Sequence, residues 1–188
     1  MIYPIVAYGD PILRKVAEPI SADYPKLNEI IQNMFDTMRR SNGIGLAAPQ
    51  VGLSIRLFVV DATPYENDER DLDGFKQVFI NAQILEEEGK KWKCSEGCLS
   101  IPGIREDVDR NPNITVRYMD ENFVEHTESY TGMRARIIQH EYDHIEGILF
   151  TDHISSLKKK LVAKKLQNIM DGKARPDYKM KFVNKKGR

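Results

Sequence analysis

A helix that must turn ionisable side chains toward its own apolar face constrains this chain more than any other feature. Between Thr131 and Phe150, the residues Met133, Ile137, Ile138, Tyr142, Ile145 and Leu149 recur at three- and four-residue steps, the period of a helix with one buried face. The same stretch holds His140-Glu141-x-x-His144. Four residues of helix turn the chain about 400° and lift it about 6 Å, so both imidazoles leave one face within reach of a single metal ion. Glu141 lies beside them, placed to take a proton from water without being a ligand. Two histidines and a glutamate can also sit on a helix for packing or solubility. The chain has only four histidines, however, and two of them fall at this spacing around a glutamate, which favours the metal site.

Two ligands leave such a site incomplete. A histidine six residues after His144 would complete one arrangement, but Phe150 stands there, and Glu146 is the last glutamate in the chain. Asp152 and His153 follow the helix closely and are expected to face another way. As ligands they would make the chain an internal peptidase and leave the upstream cysteine idle. That cysteine lies in Glu96-Gly97-Cys98-Leu99-Ser100-Ile101-Pro102-Gly103, just ahead of a Pro-Gly turn. A free cysteine is ordinarily a small buried apolar residue. Beside an incomplete His-His pair, its thiolate is the ligand the chemistry needs.

A third stretch, Gly43-Ile44-Gly45-Leu46-Ala47-Ala48-Pro49-Gln50, completes a pattern. With Glu96-Gly97-Cys98-Leu99-Ser100 and Gln139-His140-Glu141-Tyr142-Asp143-His144, in this order and at these separations, it resembles the three motifs of the peptide deformylases. Gly9-Asp10-Pro11-Ile12-Leu13-Arg14-Lys15 resembles that family's opening, and the likeness covers roughly residues 2 to 154. The resemblance implies hydrolysis of the formyl group from the N-terminal formyl-methionine of nascent polypeptides, giving formate and a free N-terminal Met. It implies one divalent metal held by Cys98, His140 and His144, with Glu141 shuttling the proton. The Gln50 side-chain amide and the Leu99 backbone N–H would donate to the oxyanion. Fe(II) is the metal the resemblance implies. Ligand chemistry alone suggests zinc, and nickel or cobalt suits the same donors. Gly43, Ile44 and Gly45 would offer an edge for β-pairing with the peptide. Ile44, Met133 and Ile137 would surround the methionine, with His140 in the floor.

At 188 residues, 41% of them hydrophobic and 30% charged, the chain has the size and make-up of one globular domain. Residues 1–154 would carry the catalytic part, and 155–188 a basic helix and tail of the same domain. A helix is expected over 25–40 and strands over 54–60, 78–87 and 90–94, the last two flanking a turn at Gly89. A hairpin is expected over 114–119 and 123–130, turning at Asp120-Glu121-Asn122. Residues 61–77 read as an exposed polar loop, and the proline-punctuated residues 1–20 as a surface wrap. His126 reads as a surface histidine, and Arg134 and Arg136 as surface or ion-pair residues. Together these predict an α+β fold, antiparallel sheets around a central metal-binding helix with an amphipathic helix at the C-terminal end.

From Ser155 onward twelve Lys/Arg face two Asp, a net of +10 (12 − 2) in a chain that is neutral overall. Leu157, Leu161, Leu166, Ile169 and Met170 read as the packed stripe of an amphipathic helix that Gly172 stops. Its basic face is a candidate contact for ribosomal RNA. The N-terminal residues lack a basic-then-apolar signal and no apolar run reaches membrane length, so neither leader nor span is expected, and two cysteines four residues apart make no disulfide framework. A cytoplasmic monomer without a membrane partner is expected.

Overall fold

The computed structural model of the protein describes residues 1–65 and 72–183. In chain order its elements are β1 (Ile5–Val6), α1 (Leu27–Arg40), β2 (Gly45–Ala47), β3 (Leu57–Asp61), β4 (Lys76–Glu88), β5 (Trp92–Cys98) and β6 (Ile101–Arg110). They continue with β7 (Asn113–Met119), β8 (Glu125–Thr131), α2 (Gly132–Ile145), α3 (Phe150–His153), α4 (Ser156–Met170) and β9 (Met180–Lys181). Short 3-10 turns stand at Pro11–Arg14, Ala48–Val51 and Thr63–Tyr65.

Five strands in the order β2-β3-β4-β7-β8 make an antiparallel sheet, while β5 pairs with β6, and β1 lies parallel to β9. The uninterrupted apolar run of β3 is explained by cover on both faces, since alternate side chains leave opposite sides of a strand. Leu57 and Val59 pack with Met34, Phe35 and Met38 of α1. Phe58 and Val60 pack with Phe79, Tyr118 and the Ile137, Ile138 and Ile145 side chains of α2. The sheet is thus held between two helices, and α2 is fixed against it. The architecture is the expected α+β one, with a central helix and a further helix at the C-terminal end. The 114–119/123–130 hairpin also stands as β7 and β8, and the Asp120 carboxylate caps its turn by accepting from the Asn122 and Val124 amides.

Several boundaries differ from the sequence reading. The apolar period runs to Phe150, but α2 stops at Ile145. Gly147 takes a left-handed φ of +72°, where a Cβ would stand 2.7 Å from the Arg14 carbonyl oxygen, so the helix must turn there and α3 starts afresh. β3 begins at Leu57 because the Arg56 amide is bonded to the Glu18 carbonyl at 2.8 Å instead of a sheet neighbour. The strands flanking Gly89 do not pair with each other: β4 joins the main sheet and β5 joins β6. The sequence reading lacked β6, a ten-residue strand that starts through Pro102-Gly103.

The first twenty residues are no mere surface wrap, because Ile5, Val6, Ala7, Leu13 and Ala17 are buried. In the expected 61–77 loop, Leu72 and Phe75 are buried and Lys76 already belongs to β4. Residues 66–71 of that stretch, and 184–188 of the basic tail, lie outside the described residues. The packed face of α4 is also shifted. Val162, Leu166 and Ile169 meet Ile104 and Val108 of β6, whereas Leu157 and Leu161 are 69% and 71% exposed. Leu161 and Val162 point about 100° apart on a helix, so the two leucines cannot share the buried seam. They form an exposed apolar pair that the sequence reading did not foresee. No described helix is long and apolar enough to cross a membrane.

Candidate active site

α2 carries His140, Glu141 and His144 toward the end of β5, where Cys98 stands. One ligand atom from each of Cys98, His140 and His144 lies within 4.8 Å of the others. The Cys98 Sγ is 3.3 Å from the His144 Nε2, and the two imidazole planes meet at 81°. Edge-to-face rings aim their nitrogens at a common point instead of stacking. Partial burial opposes ionisation of Cys98, but the neighbouring His144 and His140 outweigh it and hold the thiol down at about 5. A thiolate with two imidazole nitrogens is a donor set suited to a divalent first-row metal.

The orientation of His140 is set from outside. Its Nδ1 is 2.9 Å from a carboxylate oxygen of Glu96, so that nitrogen donates and Nε2 is left for the centre. Glu96 also accepts from Arg110 at 2.7 and 3.0 Å and from Arg136 at 2.7 Å, and Arg110 reaches Asp143 at 2.9 Å. Burial disfavours the Glu96 charge, yet His140 and Arg110 hold its carboxyl well below the ordinary range. In the sequence Glu96 stands out only as part of a motif. Its place two residues before Cys98 on one strand was the available signal. Arg136 is ion-paired as expected but is buried, not at the surface. Arg134 bonds the Asp73 carbonyl and lies over the Phe75 ring, and His126 is one-third exposed and 3.0 Å from Asp120.

Glu141 is only 4% exposed, and its Oε2 has no hydrogen-bond partner among the described residues. Burial pushes its carboxyl up to about 7. It can sit there because Gly45 has no side chain: a Cβ on Gly45 would stand 2.7 Å from both Cγ and Cδ of Glu141. The 3-10 turn at Ala48–Val51 folds Gln50 back beneath β2. Gln50 Oε1 accepts from the Ala47 amide at 2.8 Å, which turns its NH2 toward Cys98 Sγ at 3.3 Å and Ser100 Oγ at 3.4 Å.

These groups stand in a cleft of about 850 Å³. Gly43, Ile44 and Gly45 line one wall, Met133 and Ile137 of α2 another, and Leu99 lines the cleft next to Cys98. β2 ends the sheet order, so one of its edges has no strand neighbour among the described residues. The Ile44 carbonyl is taken by the Asp61 amide at 3.0 Å, while the Ala47 amide turns away from β3 to Gln50. Alternation along the strand therefore points the Gly45 N–H and C=O at the open edge. Asp152 and His153 stand elsewhere, paired with Arg14 at 2.5 Å and Asp143 at 2.8 Å.

The family model described as polypeptide deformylase matches residues 2–160. The chain belongs to the polypeptide deformylase family. It is 62% identical over 193 residues to the peptide deformylase of Flavobacterium psychrophilum, covering 99% of this chain and all of that one. It is 44% identical to that of Salinibacter ruber, over 95% of this chain and 93% of the other. Among solved structures, the Legionella pneumophila peptide deformylase superposes with a TM-score of 0.81 at 36% identity, covering 93% and 99% of the two chains. The Thermus thermophilus deformylase gives 0.80 at 38%, covering 90% and 98%. The family-model match stops inside α4, whereas the cleft is also walled by residues 174–178, which no sequence expectation included.

Proposed function

We infer that this chain is a metal-dependent deformylase, hydrolysing the formyl amide of N-formylmethionyl nascent peptides to formate and a free N-terminal methionine. The observation that carries this reading is Glu141. A buried carboxylate with an unpartnered oxygen and a pKa near neutrality faces a Cys-His-His donor set at the head of a cleft with an open strand edge. Such a carboxylate is tuned to take and return a proton.

Cys98, His140 and His144 would hold the metal, which we assign as Fe(II), with zinc, nickel and cobalt able to occupy the same donors. When bound, a divalent metal supplies Lewis-acid polarisation of the formyl carbonyl and acidifies water. The substrate backbone pairs with the open edge at Gly45, and its methionine enters between Ile44, Met133 and Ile137. Glu141 accepts the proton of the attacking water and returns it to the departing amine. The Gln50 amide and the Leu99 N–H donate to the oxyanion as the carbonyl becomes tetrahedral. Internal peptidase chemistry through Asp152 or His153 has no support, since both are engaged with other partners. Formate release from formyl-Met-Ala-Ser by Fe(II)-loaded protein, lost in Glu141→Ala, tests the assignment. No release from protein holding one equivalent of metal would overturn it.

Residues 1–154 and 155–188 form one cytoplasmic, monomeric unit in this reading, supported by the packing of α4 against β6. The lysines of α4, with exposed Leu157 and Leu161 among them, are assigned to ribosome contact. Unchanged co-sedimentation with ribosomes after neutralising Lys158, Lys159, Lys160, Lys164 and Lys165 would refute that contact.

A further inference from the structure

Between α4 and β9 the chain returns across the cleft, held at both ends. Gly172, at φ +69°, ends the helix, and the Lys173 amide bonds back to the Asn168 carbonyl at 2.8 Å. At the far end the Ile5 and Ala7 amides donate to the Lys179 and Lys181 carbonyls at 2.8 and 2.9 Å. The strap between them lines the cleft from Ala174 to Tyr178. The Tyr178 hydroxyl donates to the Leu99 carbonyl at 2.8 Å.

Leu99 and Ser100 are the two-residue link between β5 and β6. A link this short has few ladder bonds to define it, and its polar groups are claimed from distant parts of the chain. The Ser100 carbonyl accepts from the Tyr8 amide at 2.9 Å, and the Gln50 amide lies 3.4 Å from the Ser100 hydroxyl. The Leu99 carbonyl accepts from Tyr178, a residue 79 positions away.

We propose that Tyr178 is a positioning residue for deformylation: by holding the Leu99 carbonyl it fixes the Leu99 backbone, and so aims the N–H that meets the oxyanion. The proposal rests on the deformylase reading above. An oxyanion donor acts on the transition state, so loosening it lowers kcat and leaves KM nearly unchanged. Removing such a donor outright costs about 10²–10³-fold in rate, and leaving it present but unheld should cost roughly tenfold.

Tyr178→Phe removes the hydroxyl and keeps the ring in its packing place. In formate release, its kcat should fall roughly tenfold with KM within about twofold of the parent. Metal content should stay at the parental value, and Tm should fall by no more than about 2–4 °C, the cost of one lost hydrogen bond. In the zinc-loaded protein the 15N order parameter of the Leu99 amide should drop, a readout independent of turnover. Tyr178→Ala should lower kcat at least as far. Parental kcat in Tyr178→Phe, a loss confined to KM, or an unchanged Leu99 order parameter would overturn the proposal alone. Absence of formate release from the parent protein would overturn the deformylase reading, and the proposal with it.

Discussion

Gly45→Ala tests the closest packing in the site. One added methyl would sit 2.7 Å from Cγ and Cδ of Glu141, and ordinary contact begins at 3.4 Å. The backbone of Gly45 is not left-handed, so alanine brings no torsional strain and the effect is purely steric. β2 is locked to β3 through Leu46 and Val59, and α2 is buried against both strands, so neither backbone gives way easily. The Glu141 side chain must swing instead. Overpacking of this kind costs about 1–3 kcal/mol, and the low end is expected because a side chain, not the backbone, yields. Catalysis should suffer more, since about 1 Å of misplacement can cost on the order of 10²-fold. The assay is formate release together with thermal unfolding, run in a double-mutant cycle with Glu141→Ala. Gly45→Ala should lower kcat on the order of 10²-fold. It should destabilise the parent, yet be nearly neutral in the Glu141→Ala background, where the clash is gone. Equal destabilisation in both backgrounds, or parental kcat in the single variant, would refute the steric account.

Three further outcomes are expected. Gln50→Leu should raise the barrier by about 2.7–4 kcal/mol while bound metal stays at one equivalent; parental kcat would remove Gln50 from the oxyanion site. The Glu96 and Asp143 carboxyls are both held below the ordinary range, the first by His140 and Arg110 and the second by His153 and Arg110, in each case against burial. Depressed folded-state values mean that their stabilisation is complete above the unfolded pKa of about 4 and drains away as pH falls through and below it. Tm should therefore drop steeply below about pH 5. Glu96→Gln should lower stability at neutral pH by about 3–5 kcal/mol and flatten that acid slope, and parallel slopes would contradict the assignment. After metal is stripped, Cys98, held at about 5, should be a thiolate at neutral pH and alkylate readily, with zinc restoring protection. The Fe(II)-loaded protein should lose activity in air as the metal or thiolate oxidises; full activity after prolonged aeration would count against iron.

What the sequence discloses here depends on how local the physics is. The His-Glu-x-x-His helix and the β7–β8 hairpin are legible because one period or one turn encodes each of them. Cys98 is legible through a gap in the chemistry, two imidazoles lacking a third donor. The end of α2 is not, because the apolar period continues past Ile145 and only the close approach of the Arg14 backbone forces Gly147 to turn the chain. Strand β6 hides behind Pro102-Gly103, which reads as a turn until β5 pairs with it. On α4 six large apolar residues compete for one seam, and the surface offered by Ile104 and Val108 decides that Leu157 and Leu161 stay outside. Glu96, Arg110 and Tyr178 act through contacts to His140, Asp143 and Leu99 that span tens of positions, which no local pattern records.

The parallel pairing of β1 with β9 gives this protein an unusual order of completion. Ile5 is partnered with Met180, so β1 waits for a segment synthesised much later than itself before its backbone amides are satisfied. The entropic cost of closing so long a loop grows slowly, by about 0.6 kcal/mol per doubling of length, but the wait is set by translation and not by diffusion. The Leu99 carbonyl waits with it, because Tyr178 arrives just ahead of β9. An enzyme that trims other chains as they emerge thus completes its own cleft only after residue 178 has been made, and a chain cut short before it would keep the Cys98, His140 and His144 donors while lacking the clasp beside them.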